Sequence, residues 1–167
     1  MKLFGISLIC AAAFIAATTI VKKRGDYLRT LRALDRMLEL MEGELSSRRS
    51  PLPTLVESLI RTSEGKAKAF LIALFGKLDA LGEKRLAEIW EDSQQQLSLR
   101  GEEREAFLQL GLVLGQIDLD KQLEAIRHCR EQLQRSAETL GRNLSQNCRT
   151  CFAVALLSAA MLCIVLL

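Results

Sequence analysis

The chain of 167 residues has one histidine and two prolines, and its ten glycines never cluster. With His128 alone, no Ser/His/Asp set and no HExxH zinc motif can be assembled, and without a glycine cluster there is no P-loop for a nucleotide phosphate. An excess of one charge is also lacking, because 23 basic residues stand against 20 acidic ones. The sequence therefore predicts no enzyme, no catalytic residue, no cofactor, no metal and no nucleic-acid partner.

Two apolar segments without any charged residue lie at the two ends of the chain. Leu3 to Val21 has 19 residues and Cys151 to Leu167 has 17, which as helices reach about 28 Å and about 25 Å. The hydrocarbon core of a bilayer is about 30 Å thick. Both segments are predicted to be transmembrane helices; a cleaved signal peptide is the alternative for the first and a buried core helix for the second.

Basic residues predict the orientation of these two helices. Lys22, Lys23 and Arg24 directly follow the first apolar segment and Arg149 comes just before the second, whereas the outer flanks carry only Lys2. Because cytoplasmic flanks are enriched in Lys and Arg, the middle of the chain is predicted to be cytoplasmic. The same cations are expected to contact anionic lipid head groups, or to act only as topology determinants.

The middle of the chain shows a helical pattern, with no β pattern, internal repeat or low-complexity tract. Apolar residues recur every three or four positions, which places them on one side of each helix. We predict six helices: about Asp26 to Ser47, a short one beginning near Pro53, Ala67 to a stop at Gly82, Leu86 to a stop at Gly101, Phe107 to a stop at Gly115, and a long one capped by Asp118.

The predicted architecture is all-α, a six-helix cytoplasmic bundle flanked by two transmembrane helices. Its segments are an N-terminal transmembrane helix with a basic flank (1–24), a soluble helical bundle (25–149) and a C-terminal transmembrane helix (150–167). Gly141 alone weakens the sixth helix, at a cost of about 1 kcal/mol, so we expect this helix to continue into the second span. The first span is expected to continue into the first helix, with Gly25 as a possible hinge.

Individual side chains that could carry chemistry favour ordinary structural roles. Trp90 is expected to anchor the core, and Glu42 and Glu44 to lie on a solvated helix face. His128 is expected to be a surface or half-buried polar residue. Two alternative functions remain open: a membrane-anchored phosphotransfer protein in which His128 accepts phosphate, and a generic helical scaffold.

Four short motifs follow one another along the chain. They are Glu42-Gly43-Glu44-Leu45 in the first helix, Pro51-Leu52-Pro53 in the turn after it, Ala87-Glu88-Ile89-Trp90, and Leu114-Gly115-Gln116-Ile117-Asp118-Leu119-Asp120-Lys121-Gln122 at the start of the last helix. In their order and spacing, and together with the two apolar ends, they resemble the stage III sporulation protein AB family of endospore-forming bacteria.

The resemblance implies a non-enzymatic inner-membrane platform component of the channel-like, secretion-system-like complex that joins mother cell and forespore. It implies a place in the mother-cell membrane around the forespore and a bundle similar to the F domain of type II secretion and type IV pilus platform proteins. The implied partners are other stage III sporulation proteins, including a cytoplasmic secretion-type ATPase, and membrane lipids, within a larger oligomeric assembly.

Two stretches of the family motifs hold residues of little value to a core, and they form our hypothesis for a partner-binding surface. The first is the turn from Arg48 to Pro53, and the second is the element from Leu114 to Gln122. The alternative is that both stretches only cap and connect helices. The candidate residues are Arg48, Arg49, Pro51, Pro53, Gly115, Asp118 and Gln122.

Overall fold

The computed structural model of the chain describes residues 2–48, 51–114, 116 and 118–166, and it gives side-chain surroundings for 18–19, 21–47, 51–114, 116 and 118–144. The described residues form six α-helices and no strand, which confirms the predicted helix count and class. The helices are α1 (Lys2–Arg48), α2 (Leu52–Thr62), α3 (Gly65–Phe75), α4 (Leu86–Gln94), α5 (Gly101–Val113) and α6 (Leu119–Leu166), with short 3-10 turns at Leu78–Ala80 and Gln95–Leu97.

The first and last helices are much longer than the others. α1 has 47 residues and α6 has 48, and both run without a break. The prediction that each bundle helix continues into an apolar end is therefore confirmed. Gly25 lies inside α1, and the helix is unbroken there; its role as a hinge stays a prediction.

The predicted transmembrane segments, Leu3 to Val21 and Cys151 to Leu167, fall almost wholly on residues whose side chains lie outside the described part. Among the described residues, no helix has both the length and the apolar character needed to cross a bilayer. The chain divides into two compact units, one of residues Met1–Leu28 with Glu138–Leu167 and the other of Arg29–Ala137. The predicted domain limits at 24/25 and 149/150 stay predictions.

The core of the Arg29–Ala137 unit is built from the apolar sides of its helices. An apolar stripe of α1 is buried from Leu31 to Leu45, and α6 adds Ile126, Cys129 and Leu133, each with no exposed surface. The spacing of three and four residues thus identified the buried side of both long helices correctly. The buried apolar residues of α1 are Leu31, Leu34, Met37, Leu38, Met41 and Leu45.

Three rings from α3, α4 and α5 form an aromatic cluster of Phe70, Trp90 and Phe107. The Trp90 ring lies 4.9 Å from both phenylalanine rings, and the two phenylalanine rings are 5.2 Å apart. The indole Nε1–H donates a buried hydrogen bond to the Phe107 carbonyl at 2.8 Å. Trp90 is 1% exposed, so its predicted role as a core anchor is confirmed.

Gly111 allows α5 to pack against this cluster. A Cβ atom added to Gly111 would overlap the indole ring of Trp90, with only 2.5 Å to its Cγ atom. Since real side-chain atoms do not approach so closely, the position requires a residue without a side chain. Close packing against Trp90 therefore explains why a glycine occupies position 111 of α5.

The predicted end of the third helix is wrong. α3 stops at Phe75 rather than at Gly82, and the Gly76 N–H makes the last bond of this turn, to the Ile72 carbonyl at 3.0 Å. The chain then tightens into the first 3-10 turn, which buries Leu78. Phe75, the last residue of α3, is 42% exposed.

The predicted boundary between the fourth and fifth helices is also wrong. Gly101 does not end the fourth helix; α4 ends at Gln94, and Gly101 is the first residue of α5. Gly101 has φ +54, in the left-handed region that glycine occupies without strain. Its conformation therefore explains why a break occurs here, and the helix predicted from Phe107 begins six residues earlier.

Candidate partner-binding surface

The two prolines of the first candidate stretch begin α2. Pro51 precedes the helix, and its carbonyl accepts a hydrogen bond from the Leu55 N–H at 3.0 Å. Pro53 lies in the first turn, where its missing N–H would have no partner within the helix in any case. Both prolines are exposed. Arg48 is the last residue of α1; its side chain and the whole of Arg49 lie outside the described residues.

The second candidate stretch begins α6, and the predicted cap at Asp118 is confirmed. Asp118 Oδ1 accepts hydrogen bonds from the N–H groups of Asp120 at 3.1 Å and Lys121 at 3.3 Å, which satisfies amides that have no partner in the first turn. The side-chain amide of Gln122 donates to the Gln116 carbonyl and so ties down the loop before the helix. Gly115 lies outside the described residues, and its role stays a prediction.

Side-chain contacts between α1 and α6 show the relative direction of the two helices. Arg127 Nε lies 2.6 Å from Glu42 Oε1, and Gln134 Nε2 donates to Asp35 Oδ1 at 3.1 Å. Residue numbers rise along one helix as they fall along the other, so the two helices are antiparallel in this unit. The same register brings the end of α1, at Arg48, to the end of the helix pair where α6 begins. The turn after Arg48 and the element that leads into α6 therefore lie at the same end of the helix pair.

A network of ion pairs joins the two helices, and its centre is Arg130. The Arg130 guanidinium lies 3.2 Å from Asp35 Oδ1, 3.0 Å from Glu42 Oε2 and 3.6 Å from Glu39 Oε2. Arg130 is 20% exposed and Glu42 is 18% exposed. Glu42 was predicted to lie on a solvated face, and this is wrong, because two arginines hold it between the helices. We call this network the α1–α6 ion-pair cluster; its residues are Asp35, Glu39, Glu42, Arg127, Arg130 and Gln134.

The cluster shifts the ionisation of its members. The hydrogen bond from Arg127 is the main cause that holds the pKa of Glu42 below its ordinary value, and Arg130 adds to it against the opposing effect of burial. Burial acts to lower the pKa of Arg130, but hydrogen bonds to Asp35 and Glu42 outweigh it and raise that pKa. Burial also raises the pKa of the Cys129 thiol to about 12, with a smaller contribution from Asp35. Cys129 is therefore an inert thiol rather than a nucleophile.

The sequence reasoning missed the cluster, although a signal was present. Asp35, Glu39 and Glu42 are spaced by four and three residues, and Arg127, Arg130 and Gln134 by three and four, so each set lies on one side of its helix. An acidic side on one helix and a basic side on another predict a pairing only when the helices are known to be neighbours and antiparallel. The fold shows that α1 and α6 are antiparallel neighbours, which the spacing of charged residues along each helix does not reveal.

His128 is exposed on α6, next to two members of the cluster. A phosphate-accepting histidine must be accessible to its donor, and the exposure of His128 is compatible with that requirement. Among the residues that the structure describes, no three His, Cys, Asp or Glu side chains lie together in a way that could hold a metal ion.

Comparisons with known proteins agree with the motifs. The family model of stage III sporulation protein AB matches residues 2–167. A solved structure described as stage III sporulation protein AB (SpoIIIAB) superposes with a TM-score of 0.61 at 24% identity, over 70% of this chain and 94% of that chain, which shows a shared fold. No curated protein sequence gives a significant match. Because the family model covers nearly the whole sequence, the chain belongs to the stage III sporulation protein AB family.

Proposed function

We propose that the chain is a non-enzymatic platform component of the membrane complex that connects mother cell and forespore. Its family gives it a role in sporulation. The observation that carries the platform role is α6, which runs unbroken from Leu119 to Leu166. This one helix contains core residues of the folded unit and also the apolar segment from Cys151. A rigid helix moves as a unit, so it is suited to pass force or position between a cytosolic motor and a membrane ring.

The proposed location is the mother-cell membrane, with two spans and the bundle in the cytoplasm. It is supported by the charge-free ends of the chain and by the exposure of Lys22, Lys23 and Arg24 directly behind the first one. Reporter fusions test it. A fusion within the α3–α4 loop should report the cytoplasm, and a fusion after Leu167 should report the opposite side; the reverse result would contradict the topology.

The proposed partner surface is the end of the helix pair at which α1 ends and α6 begins, together with the start of α2. The proposed partners are a cytoplasmic secretion-type ATPase and other stage III proteins in an oligomeric assembly. Pro51, Pro53 and Asp118 are exposed and contribute little to the core. A photo-crosslinking residue at Pro53 in sporulating cells should give an adduct with the ATPase. The same residue at Lys84, exposed in the α3–α4 loop, is the control; equal adducts from both positions would contradict the assignment.

The continuity of α6 is tested by an insertion. A Gly-Pro pair placed after Gly141 should break the helix and abolish sporulation, because proline removes a helix hydrogen bond and clashes with the preceding turn. Four alanines at the same place add about one helical turn and keep the helix continuous, so they should preserve sporulation. The cooperative unfolding of the full-length chain in detergent should be retained in both variants. Normal sporulation of the Gly-Pro variant would contradict the platform mechanism.

The phosphotransfer alternative has one observation in its favour, the exposure of His128. The residues after it, Cys129, Arg130 and Glu131, lack the lysine and small residue that would stabilise a phosphoimidazole, and Arg130 is engaged by three carboxylates. We expect His128→Gln to sporulate normally. Loss of sporulation with normal protein level would favour phosphotransfer instead, and expression outside the mother cell would favour a generic scaffold.

A further inference from the structure

The outer side of α1 carries basic residues that face solvent. Arg32 and Arg36 are exposed, and Leu40 follows them at 43% exposed. A spacing of four residues aligns all three along one side of the helix. Within the described part of the chain, neither arginine has an ion-pair or hydrogen-bond partner. We call these three residues the basic face of α1.

The outer side of α5 has the opposite charge. Glu102, Glu105, Gln109 and Leu112 recur at steps of three and four residues and are all exposed, and Leu112 is 59% exposed. Neither glutamate has an ion-pair partner among the residues that the structure describes. Glu102 lies in the first turn, where the helix dipole favours an acid, but Glu105 lies beyond that turn. We call these four residues the acidic face of α5.

Neighbouring charges do not cancel the sign of either face. Glu39 adjoins the basic face, but it belongs to the α1–α6 ion-pair cluster, in which its Oε2 lies 3.6 Å from the Arg130 guanidinium. On α5, Arg104 is two residues after Glu102 and so lies on another side of the helix. Each face therefore offers charges of one sign to whatever approaches it.

The two faces match in order and in spacing. Each begins with charges and ends with an exposed leucine. Arg32 precedes Leu40 by eight residues, about 12 Å along the helix, and Glu105 precedes Leu112 by seven, about 10.5 Å. A parallel alignment therefore brings opposite charges together and the two leucines together. Both faces are exposed within one copy, so the contact needs a second copy.

We propose that the basic face of α1 binds the acidic face of α5 in a second copy of the chain. Each copy then keeps one face of each kind for a further copy, so the contact is head-to-tail, and such contacts close into rings when the rotation allows. This interface rests on the oligomeric assembly proposed above and gives it a location. It does not include Pro53 or Asp118, which stay accessible to another protein.

Self-association of the full-length chain in a nonionic detergent, measured by sedimentation equilibrium, tests the contact. The parent should associate more as its concentration rises, and less in about 1 M salt, where charges are screened within about 3 Å. Two double variants reverse one face each: Arg32→Glu with Arg36→Glu, and Glu102→Arg with Glu105→Arg. At low ionic strength each alone should associate at least about tenfold more weakly, because like charges then meet.

An equimolar mixture of the two double variants is the decisive sample. The reversed α1 face of one variant fits the reversed α5 face of the other, and the two unreversed faces also fit, so the mixture should regain the association of the parent. Recovery of this kind cannot come from a loss of folding in either variant. Lys66→Glu with Lys68→Glu reverses two exposed cations on α3; this control should associate like the parent.

Four results would overturn the proposal. They are a parent that stays monomeric at low ionic strength, double variants that associate like the parent, a mixture that does not recover, and a loss of association in Ile72→Glu alone. The last result would place the interface on α3, where Ile72 is 52% exposed. The continuity of α6 is tested by sporulation instead, so failure of this contact and failure of the platform role are distinguishable.

Discussion

The Arg29–Ala137 unit joins its helices in two contrasting ways. The aromatic cluster of Phe70, Trp90 and Phe107 is fully buried and holds α3, α4 and α5 together. The α1–α6 ion-pair cluster is partly exposed and polar, although the apolar sides of the same helices lie next to it. Burial of apolar area and close packing stabilise the first, and they depend little on pH or salt.

We expect the ion-pair cluster to contribute less to stability than the aromatic cluster and more to specificity. Charges taken from water lose hydration, and their attraction offsets this loss only when geometry and partners are good. Three carboxylates around one guanidinium determine which residues of α1 and α6 stand opposite each other. Packing therefore holds the three shorter helices, and we expect the ion pairs to add to the apolar contacts in fixing the register of the two long helices.

Removing the indole of Trp90 should be the most damaging single change. Trp90→Ala deletes the central ring of the aromatic cluster, and large-to-small changes of this kind cost about 3–5 kcal/mol in the free energy of unfolding. Urea unfolding of the full-length chain in detergent measures it. Trp90→Phe keeps a ring but loses the hydrogen bond to the Phe107 carbonyl, and should cost about 1–2 kcal/mol. Equal losses for both variants would mean that the hydrogen bond, and not packing, holds the cluster.

Enlarging Gly111 should damage the same cluster from the other side. Gly111→Ala forces a methyl group into the Trp90 ring, and overpacking of a core typically costs about 1–3 kcal/mol. Gly43→Ala is the matched control, because Gly43 is an exposed helix residue with no atom within 4 Å of the added methyl. It should stabilise the chain by about 0.5–1 kcal/mol through helix propensity. A stabilising effect of both changes would show that α5 can move away from Trp90.

The helices of the fold could be predicted from the sequence, because their apolar spacing is regular over several turns. The stripe from Leu31 to Leu45 and the role of Trp90 needed no knowledge of neighbours. The predictions of helix boundaries were wrong where the backbone conformation of single residues determines them. The sequence predicts a helix end at Gly101, where the structure has a helix start, since a glycine indicates a left-handed residue without indicating on which side of it the helix lies.

The candidate site was harder to predict than the fold. Asp118 could be recognised as a cap because a cap depends on local sequence alone. Glu42 was misjudged because its environment is made by Arg127 and Arg130, 85 and 88 residues away in sequence.

Breaking the centre of the ion-pair cluster should cost less than breaking the aromatic one. Arg130→Met keeps most of the apolar stem but removes the arginine partner of three carboxylates. Asp35 keeps the Gln134 amide and Glu42 keeps Arg127, so the variant should lose about 1–2 kcal/mol. Arg61→Met is the control, since Arg61 forms a pair with Glu57 in which both side chains are mostly exposed; its loss should be about 0–0.5 kcal/mol. A loss from Arg130→Met as large as that from Trp90→Ala would contradict the expectation that the aromatic cluster contributes more stability than the ion-pair cluster.

Acid should weaken the ion-pair cluster before it affects the aromatic one. The pKa of Glu42 is lower in the folded chain than its ordinary value near 4.5, so its contribution is present above that value and is lost as pH falls through the folded pKa. Unfolding free energies of the parent and Glu42→Gln should therefore differ at pH 7 and converge in acid. Trp90→Phe should keep a constant difference from the parent over the same range, since no titrating group is changed. A Glu42→Gln difference that stayed constant into acid would show that its hydrogen-bonding shape, rather than its charge, joins α1 to α6.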